Sequence, residues 1–255
     1  MKQINAPAGT QAVLRALRLL KRFTPQEPNL SLGELSSALE LTKTTTHRLL
    51  AALESEGLVA RDAMRNTYRL GPTVIALGSQ ALLTSDLRAA TRPTLEALAF
   101  ESRETTTLEV LVGDQILVFD GVAGLHRVAA SLDIGTRWPA HATSTGKCFL
   151  AHATNSTRDQ LLRPPLTRFT DNTLHLDGLH DSLDSVKKLG YAVAREELEL
   201  GYVAVAAEFR GPMGDVEGAL SIGGPVSRFT PEKVSSLGER LRAAADELTT
   251  RRQES

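Results

Sequence analysis

The most constraining feature of the chain is the stretch 31–71, which combines two helical patterns with a basic hairpin. Ser31 and Glu34 have the spacing of a capping box, which marks the start of a first short helix. After a break, residues 42–57 predict a second helix that is apolar on one side and carries hydroxyl, imidazole and guanidinium groups on the other. Two short strand patterns follow, at 58–61 and 67–70. This order is typical of a winged helix-turn-helix, and a helix polarised in this way suits the DNA major groove.

The polar face of the second helix supplies the candidate DNA contacts. Arg48 and His47 can read bases, since arginine can make a bidentate contact with guanine, or they can contact phosphate or only solubilise the helix. Lys43 in the first turn is predicted to bind phosphate. Arg65, at the tip of the wing, can enter the minor groove or lie near the DNA backbone. The alternative is an ordinary surface pair of helices whose charges only keep it hydrated. The predicted DNA-binding residues are Lys43, Thr44, Thr45, His47, Arg48 and Arg65.

Charge is divided unevenly along the chain. Residues 1–71 carry a net charge of +4 and residues 72–255 a net charge of −5, although the whole chain is close to neutral at −1. A basic head favours contact with phosphates. Because the excess is modest, we expect DNA affinity to depend on two heads that bind together, as a dimer on a near-palindromic site.

Composition argues against several other classes of protein. A length of 255 residues is comfortable for two domains. No apolar run reaches the roughly 20 residues that cross a bilayer, and residues 1–7 lack the hydrophobic core of a signal peptide. The single cysteine, Cys148, cannot form an internal disulfide. We therefore expect a cytoplasmic protein without a membrane partner.

The remaining patterns predict an α+β fold. A first helix is predicted at 10–22, with an apolar stripe of Val13, Ala16, Leu17 and Leu20, and a connecting helix at 73–83 is apolar enough to be buried against another subunit. Beyond it, helices are predicted at 86–104, 176–189 and 231–252, strands at 106–112, 116–119, 126–132, 190–193, 203–209 and 216–223, and a loop at 137–147 that leads into a helix carrying Cys148. Paired antiparallel strands with helices at both ends predict a body built around a sheet.

Several segments in a fixed order resemble the IclR family of bacterial transcriptional regulators, over about residues 11–248. They are 41–50, 68–71, 139–147, 190–192 with 196–197, and 219–225. The resemblance implies a winged helix-turn-helix DNA-binding domain at 8–71, a connecting helix at 72–85 and a GAF-like effector-binding domain at 86–252. It also implies dimers that can pair further into a dimer of dimers, without a cofactor. We therefore predict a DNA-binding regulator, expected to be a repressor of a catabolic operon, whose promoter binding is modulated by a small organic effector.

The resemblance also implies the residues of an effector pocket. In relatives that sense small acids, the backbone of the loop matching Ser144 and Thr145 lines this pocket. The side chains that complete it are an aspartate matching Ala194, a cysteine matching Ala204 and two serines matching Ser221 and Gly223. Three of those four side chains lack their polar group here, and Trp138 stands where an aliphatic residue is usual. We therefore predict a larger, less polar pocket for a bulkier, partly aromatic effector, lined by Trp138, Ser144, Thr145, Ala194, Tyr202, Ala204, Ser221 and Gly223.

Other motifs leave alternatives open. Cys148 and His141 have the residue types of a nucleophile and its base, so the alternative function is an enzyme or a small-molecule-binding module whose head contacts proteins. His175 and His180 lack a third ligand, and no metal site is predicted. Glu208 is expected either to meet an amide or amine on the effector or to end a strand in solvent. The pocket residues themselves can also form a closed core that binds nothing.

Overall fold

The computed structural model describes residues 9–126, 130, 132 and 134–254. The chain divides into two compact units, with the boundary between Ser85 and Asp86. The predicted α+β class is confirmed, with a winged helix-turn-helix in the first unit and an antiparallel sheet flanked by helices in the second. No helix in the described part of the chain is long and apolar enough to cross a membrane.

The described residues of the first unit form a three-stranded sheet and four helices. Its elements are α1 (Gln11–Leu20), β1 (Leu30–Ser31), α2 (Leu32–Ala38), α3 (Lys43–Ser55), β2 (Val59–Asp62), β3 (Thr67–Leu70) and α4 (Pro72–Leu83). The predicted capping box starts α2: Ser31 Oγ accepts from the Glu34 backbone N–H, and Glu34 Oε2 accepts from the Ser31 N–H at 2.7 Å. The strands pair antiparallel in the order β1-β3-β2.

The core of the first unit corrects the predicted apolar stripe of α1. Leu19 is fully buried, whereas Val13 and Leu17 are 59% and 48% exposed. Residues 13, 17 and 20 and residues 16, 19 and 20 both have helical spacing, so periodicity alone allowed two stripes on this helix. The described side chains buried with Leu19 are Phe23, Leu30, Leu35, Leu50, Leu53, Val59 and Tyr68. No residue of α4 is buried within the chain.

The described residues of the second unit form a six-stranded antiparallel sheet with helices on both faces. Its elements are α5 (Asp86–Ser102), β4 (Thr105–Val112), β5 (Gln115–Val122), β6 (Arg137–Pro139), α6 (Ser144–His152), α7 (Asn155–Leu161), α8 (Leu176–Leu189), β7 (Ala192–Arg195), β8 (Tyr202–Arg210), β9 (Val216–Pro225) and α9 (Pro231–Gln253). The strand order is β6-β5-β4-β9-β8-β7. Helices α5 and α9 pack on one face of the sheet, and α6 and α8 pack on the other.

The edge of this sheet differs from the prediction. Part of the strand predicted at 126–132 lies outside the described residues. Residues 137–139, predicted as part of a loop, form the edge strand β6, with Trp138 opposite Ile116 of β5. A strand of three residues is too short to show alternation, and Pro139 is compatible with an edge strand because one side needs no hydrogen bonds. The short helix α7 was also not predicted.

Candidate DNA-binding surface and ligand cavity

The predicted DNA-reading face of α3 is exposed. Lys43, Thr44, His47 and Arg48 are all solvent-exposed, and Thr45 is half-buried. The opposite side of the helix is held in the core by Thr46, Leu50 and Leu53. The first turn therefore presents a cation and a hydroxyl, and the second turn presents an imidazole and a guanidinium.

Thr42 starts α3 and was not among the predicted site residues. Its hydroxyl accepts from the Thr45 N–H at 3.2 Å and lies 2.9 Å from the Thr45 hydroxyl. The Thr46 hydroxyl donates back to the Thr42 carbonyl at 3.1 Å. The Thr45 hydroxyl therefore already has a partner, and it is less available for DNA than the hydroxyl of Thr44.

The wing presents Arg65 at an exposed turn between β2 and β3. Asp62 Oδ1 accepts from the backbone N–H groups of Met64 and Arg65, each at 3.0 Å. Asn66 has a positive φ of 52°, which an asparagine tolerates, and its side-chain oxygen accepts from Arg61 at 3.0 Å. These bonds shape the turn without using the Arg65 guanidinium.

The second unit contains a cavity of about 420 Å³ between the sheet, the start of α6 and the loop before β8. Its lining includes seven of the eight predicted effector residues: Trp138, Ser144, Ala194, Tyr202, Ala204, Ser221 and Gly223. The eighth, Thr145, is fully buried and is not among the lining residues. Strand pairing explains why distant positions meet here, because Ala204 lies opposite Gly223 and Ala206 lies opposite Ser221.

Gly223 makes room for Tyr202. A Cβ placed on Gly223 would overlap the Tyr202 hydroxyl and lie 2.7 Å from the ring carbon that carries it. Burial raises the pKa of Tyr202, so this hydroxyl is neutral and can donate a hydrogen bond. The hydroxyl group that the resemblance implied at position 223 is therefore replaced in space by that of Tyr202.

The start of α6 faces the cavity at Ser144. The Thr143 hydroxyl caps the helix by accepting from the Gly146 N–H at 3.1 Å. The first N–H groups of a helix have no acceptor within it, and the helix dipole makes this end attractive to anions. Ser144 therefore brings the N-terminus of α6 to the cavity wall, and the binding of an effector by its backbone stays a prediction.

Acidic and hydroxyl side chains that were not among the predicted site residues also line the cavity. Thr105, Thr107 and Glu109 alternate along β4 and line the cavity, and Glu109 is only 9% exposed. The Thr107 hydroxyl donates to Glu109 Oε1 at 2.7 Å, and burial raises the pKa of Glu109. The period-two alternation of a charged residue with threonines was the signal that could have found this face.

A buried ion pair supports one wall of the cavity. Lys147 Nζ lies 2.6 Å from Glu197 Oε1 and donates to the Val193 carbonyl at 2.9 Å. Lys147 and Glu197 side chains are 1% and 6% exposed, and burial lowers the pKa of Lys147. Glu197 Oε2 is buried without a hydrogen-bond partner among the described residues. The pair joins α6 to the segment that enters the cavity wall at 197–202.

The two residues considered for catalysis, Cys148 and His141, each contact a backbone carbonyl oxygen. The Cys148 thiol is buried against the Ala206 carbonyl, 3.4 Å from Sγ, and burial raises its pKa well above the ordinary value. A raised pKa keeps the sulfur protonated, and a thiol is a poor nucleophile. His141 Nε2 lies 2.9 Å from the Thr167 carbonyl oxygen.

Glu208 and the histidines of the second unit do not extend the site. Glu208 does not line the cavity; its carboxylate lies 2.6 Å from His152 Nε2, so both expectations for it were wrong. His175 and His180 belong to no group of three or more potential metal ligands within the described residues.

Comparisons with known proteins cover nearly the whole chain. Residues 79–250 match the family described as bacterial transcriptional regulator IclR C-terminal, and residues 12–63 match the IclR helix-turn-helix domain. The transcriptional repressor IclR of Escherichia coli K12 is 33% identical over 256 residues, which cover 96% of this chain and 92% of that protein.

Solved structures extend the similarity to the fold. An IclR transcriptional regulator from Alicyclobacillus acidocaldarius has a TM-score of 0.84 at 28% identity, over 94% of this chain and 97% of that one. An IclR homologue from Microbacterium hydrocarbonoxydans, solved in complex with 4-hydroxybenzoate, has a TM-score of 0.78 at 27% identity, over 96% of this chain and all of that one.

Proposed function

The chain belongs to the IclR family of bacterial transcriptional regulators, and we propose that it represses a catabolic operon and changes its operator affinity when a small, partly aromatic molecule occupies the cavity. The observation that carries the proposal is a cavity of about 420 Å³ in the same chain as an exposed basic recognition helix. We assign DNA binding to 8–71, the connection to 72–85 and effector binding to 86–252. A protein that acts on DNA is expected in the cytoplasm.

The DNA contacts divide between bases and phosphates. Arg48 and His47, exposed in the second turn of α3, reach base edges, with Arg48 able to contact guanine through two hydrogen bonds. Lys43 and Thr44 bind phosphates at the start of the helix, and Arg65 reaches the minor groove or its backbone from the wing. Thr45 supports this surface by its bond to the helix cap.

The first unit also carries the surface that we assign to the dimer contact. Val13 and Leu17 of α1 are exposed, as are Ile75 and Leu77 of α4, at 73% and 54%. Soluble proteins seldom leave such a group of apolar side chains in water. We propose that α1 and α4 pack against a second copy, so that two heads read a near-palindromic operator, and that such dimers can pair into a dimer of dimers.

The cavity suits an aromatic effector better than a two-carbon acid. Its volume lies within the range of about 300–1,000 Å³ typical of small-molecule sites. Trp138 and Val118 supply apolar surface, while Ser221 and the backbone at Ser144 supply hydrogen-bonding groups. The complex of the Microbacterium homologue with 4-hydroxybenzoate gives a precedent for an aromatic ligand in this fold.

The rival function is an enzyme or a small-molecule-binding module whose head contacts proteins. A mobility-shift experiment with DNA from upstream of the protein's own gene distinguishes the two. The regulator should shift this DNA specifically, and its affinity should fall steeply with salt because phosphate contacts release counterions. The absence of a shift at low salt would support the rival.

Arg48→Ala tests the recognition helix directly. It should lower operator affinity by about 1–3 kcal/mol, the usual range for a bidentate base contact, without changing the oligomer size. Lys188→Ala is the matched control, because it removes an exposed cation from α8 of the second unit and should leave DNA affinity unchanged. An Arg48→Ala footprint identical to that of the wild type would show that α3 does not read the operator.

A further inference from the structure

The charged side chains that line the cavity restrict the chemical class of ligand that it can bind. The carboxylates in its lining are those of Glu109, Glu197 and Glu199, and the described lining residues include no lysine, arginine or histidine. Glu197 is paired with Lys147, and Glu199 is exposed. Glu109 is therefore a buried carboxylate in the cavity without a cationic partner among the described residues.

Glu109 has one oxygen left for a ligand. Oε1 accepts the hydroxyl of Thr107 at 2.7 Å, no hydrogen bond to Oε2 within 3.5 Å comes from the described residues, and the hydroxyl of Thr145 is the nearby protein group that also acts on this carboxyl. The side chain is 91% buried, given its 9% exposure, and it lines the cavity. A buried acceptor is costly unless it meets a donor, so a ligand with an N–H or O–H group at this point would complete its hydrogen bonding.

Glu109 also lies beside the N-terminus of α6, the part of the cavity that would otherwise attract an acidic ligand. Thr145 lies in the first turn of α6, and its side chain is near enough to Glu109 to lower the pKa of that carboxyl, although the opposing effect of burial is larger. The N-terminus of a helix favours a negative group beside it. Here Glu109 occupies that place. Its ionised form would repel a ligand carboxylate, whereas a cationic ligand would favour that ionised form against the effect of burial.

The rest of the cavity suits an aromatic body. Trp138, Val118, Leu198 and Pro225 line it. The face of a tryptophan attracts a cationic nitrogen as well as packing against a ring. A molecule with a ring and a protonated nitrogen therefore matches both parts of the lining.

We propose that this cavity takes a small aromatic amine, whose protonated nitrogen binds Glu109 and whose ring packs against Trp138. The inference rests on the proposed function, since it names the effector class for the same cavity. The resemblance places the carboxylate of relatives that sense small acids at the position of Ala194, whereas the buried carboxylate without a cationic partner in this cavity is Glu109, on β4.

Three probes of similar size test the charge preference on the full chain: benzylamine, benzyl alcohol and benzoate. Isothermal titration calorimetry near neutral pH, checked by the emission of Trp138, the only tryptophan of the chain, should show benzylamine binding at least about 100-fold more tightly than benzoate. Benzyl alcohol should fall between them. Benzoate binding as tightly as benzylamine would overturn the amine assignment and leave the proposed aromatic effector standing. A failure of all three probes to bind would contradict both.

A pair of variants assigns the preference to one residue. Glu109→Gln keeps the size of the side chain and should weaken benzylamine by about 10-fold or more with little effect on benzyl alcohol. Glu239→Gln removes the same charge from the exposed surface of α9 and should change neither affinity. Unchanged benzylamine binding by Glu109→Gln would overturn the assignment. If that variant does not fold, the order of the three wild-type affinities decides.

Discussion

Replacing Gly146 with alanine tests whether the packing at the start of α6 maintains the cavity wall. A Cβ at this position would overlap the carbonyl oxygen of Ala140 and lie 2.5 Å from the carbonyl carbon. The obstacle is backbone, which cannot rotate away as a side chain does. Overpacking usually costs about 1–3 kcal/mol, occasionally more, and the better helix propensity of alanine returns at most about 1 kcal/mol. Since the overlap is with backbone, we use the upper end of that cost, about 3 kcal/mol, and after the return of up to about 1 kcal/mol we expect Gly146→Ala to destabilise the second unit by about 2–3 kcal/mol.

Gly178 provides the matched control for this substitution. Gly146 is the third residue of α6 and Gly178 is the third residue of α8, so both substitutions change helix propensity alike. A Cβ on Gly178 would meet only the Leu174 side chain, at an ordinary 3.7 Å. Gly178→Ala should therefore be neutral or stabilising by up to about 1 kcal/mol.

Urea unfolding followed by Trp138 emission measures both variants, because the only tryptophan lies in the second unit. Gly146→Ala should unfold at a clearly lower urea concentration than the wild type, and its melting temperature should fall by about 4–12 °C. Equal midpoints for Gly146→Ala and Gly178→Ala would refute the claim that contact between the turn at Ala140 and α6 limits stability.

Two buried carboxylates give further predictions. Lys147→Met should cost about 3–5 kcal/mol in urea unfolding because it leaves Glu197 buried without its cation, and the double variant Lys147→Met/Glu197→Leu should recover most of that loss. Glu104→Gln should cost about 1–3 kcal/mol of unfolding free energy, because Glu104 is fully buried and accepts hydrogen bonds from Arg228 and Lys233. Burial acts to raise the pKa of Glu104, but these hydrogen bonds outweigh it and the pKa is lowered. A lowered folded-state pKa means that the ionised carboxylate contributes stability at neutral pH. The difference in unfolding free energy between the wild type and Glu104→Gln should therefore shrink as the pH falls below 4.5, and a difference that stays constant would contradict this role of the ionised carboxylate.

Features set by a few neighbouring residues could be predicted from the sequence. The Ser31–Glu34 capping box and the N-terminus of α3 depend on side chains three residues apart. The predicted helix at 176–189 matches α8 because Gly190, with a positive φ of 77°, ends it. Such local bonds do not depend on the rest of the fold.

Features that depend on distant partners could not be predicted in this way. Lys147 and Glu197 are far apart in sequence, and nothing in the residues around either one indicates that the two form a buried ion pair. The role of Glu109 required knowing which face of β4 turns towards the start of α6. The resemblance to relatives directed attention to Ala194, Ala204 and Gly223, where polar side chains are missing. The buried carboxylate without a cationic partner, Glu109, lies on a different strand, β4.

The most direct test of the account compares operator affinity with and without an occupied cavity. Labelled operator DNA is titrated with the full chain, and binding is followed by fluorescence anisotropy. The titration is made without and with whichever of the three aromatic probes changes Trp138 emission. We expect operator affinity to change by about 5–150-fold, with an equal change in probe affinity when DNA is bound. Arg48→Ala should weaken operator binding by about 1–3 kcal/mol but keep the Trp138 response. Operator affinity that stays the same while the probe is bound would contradict the claim that this cavity controls DNA binding.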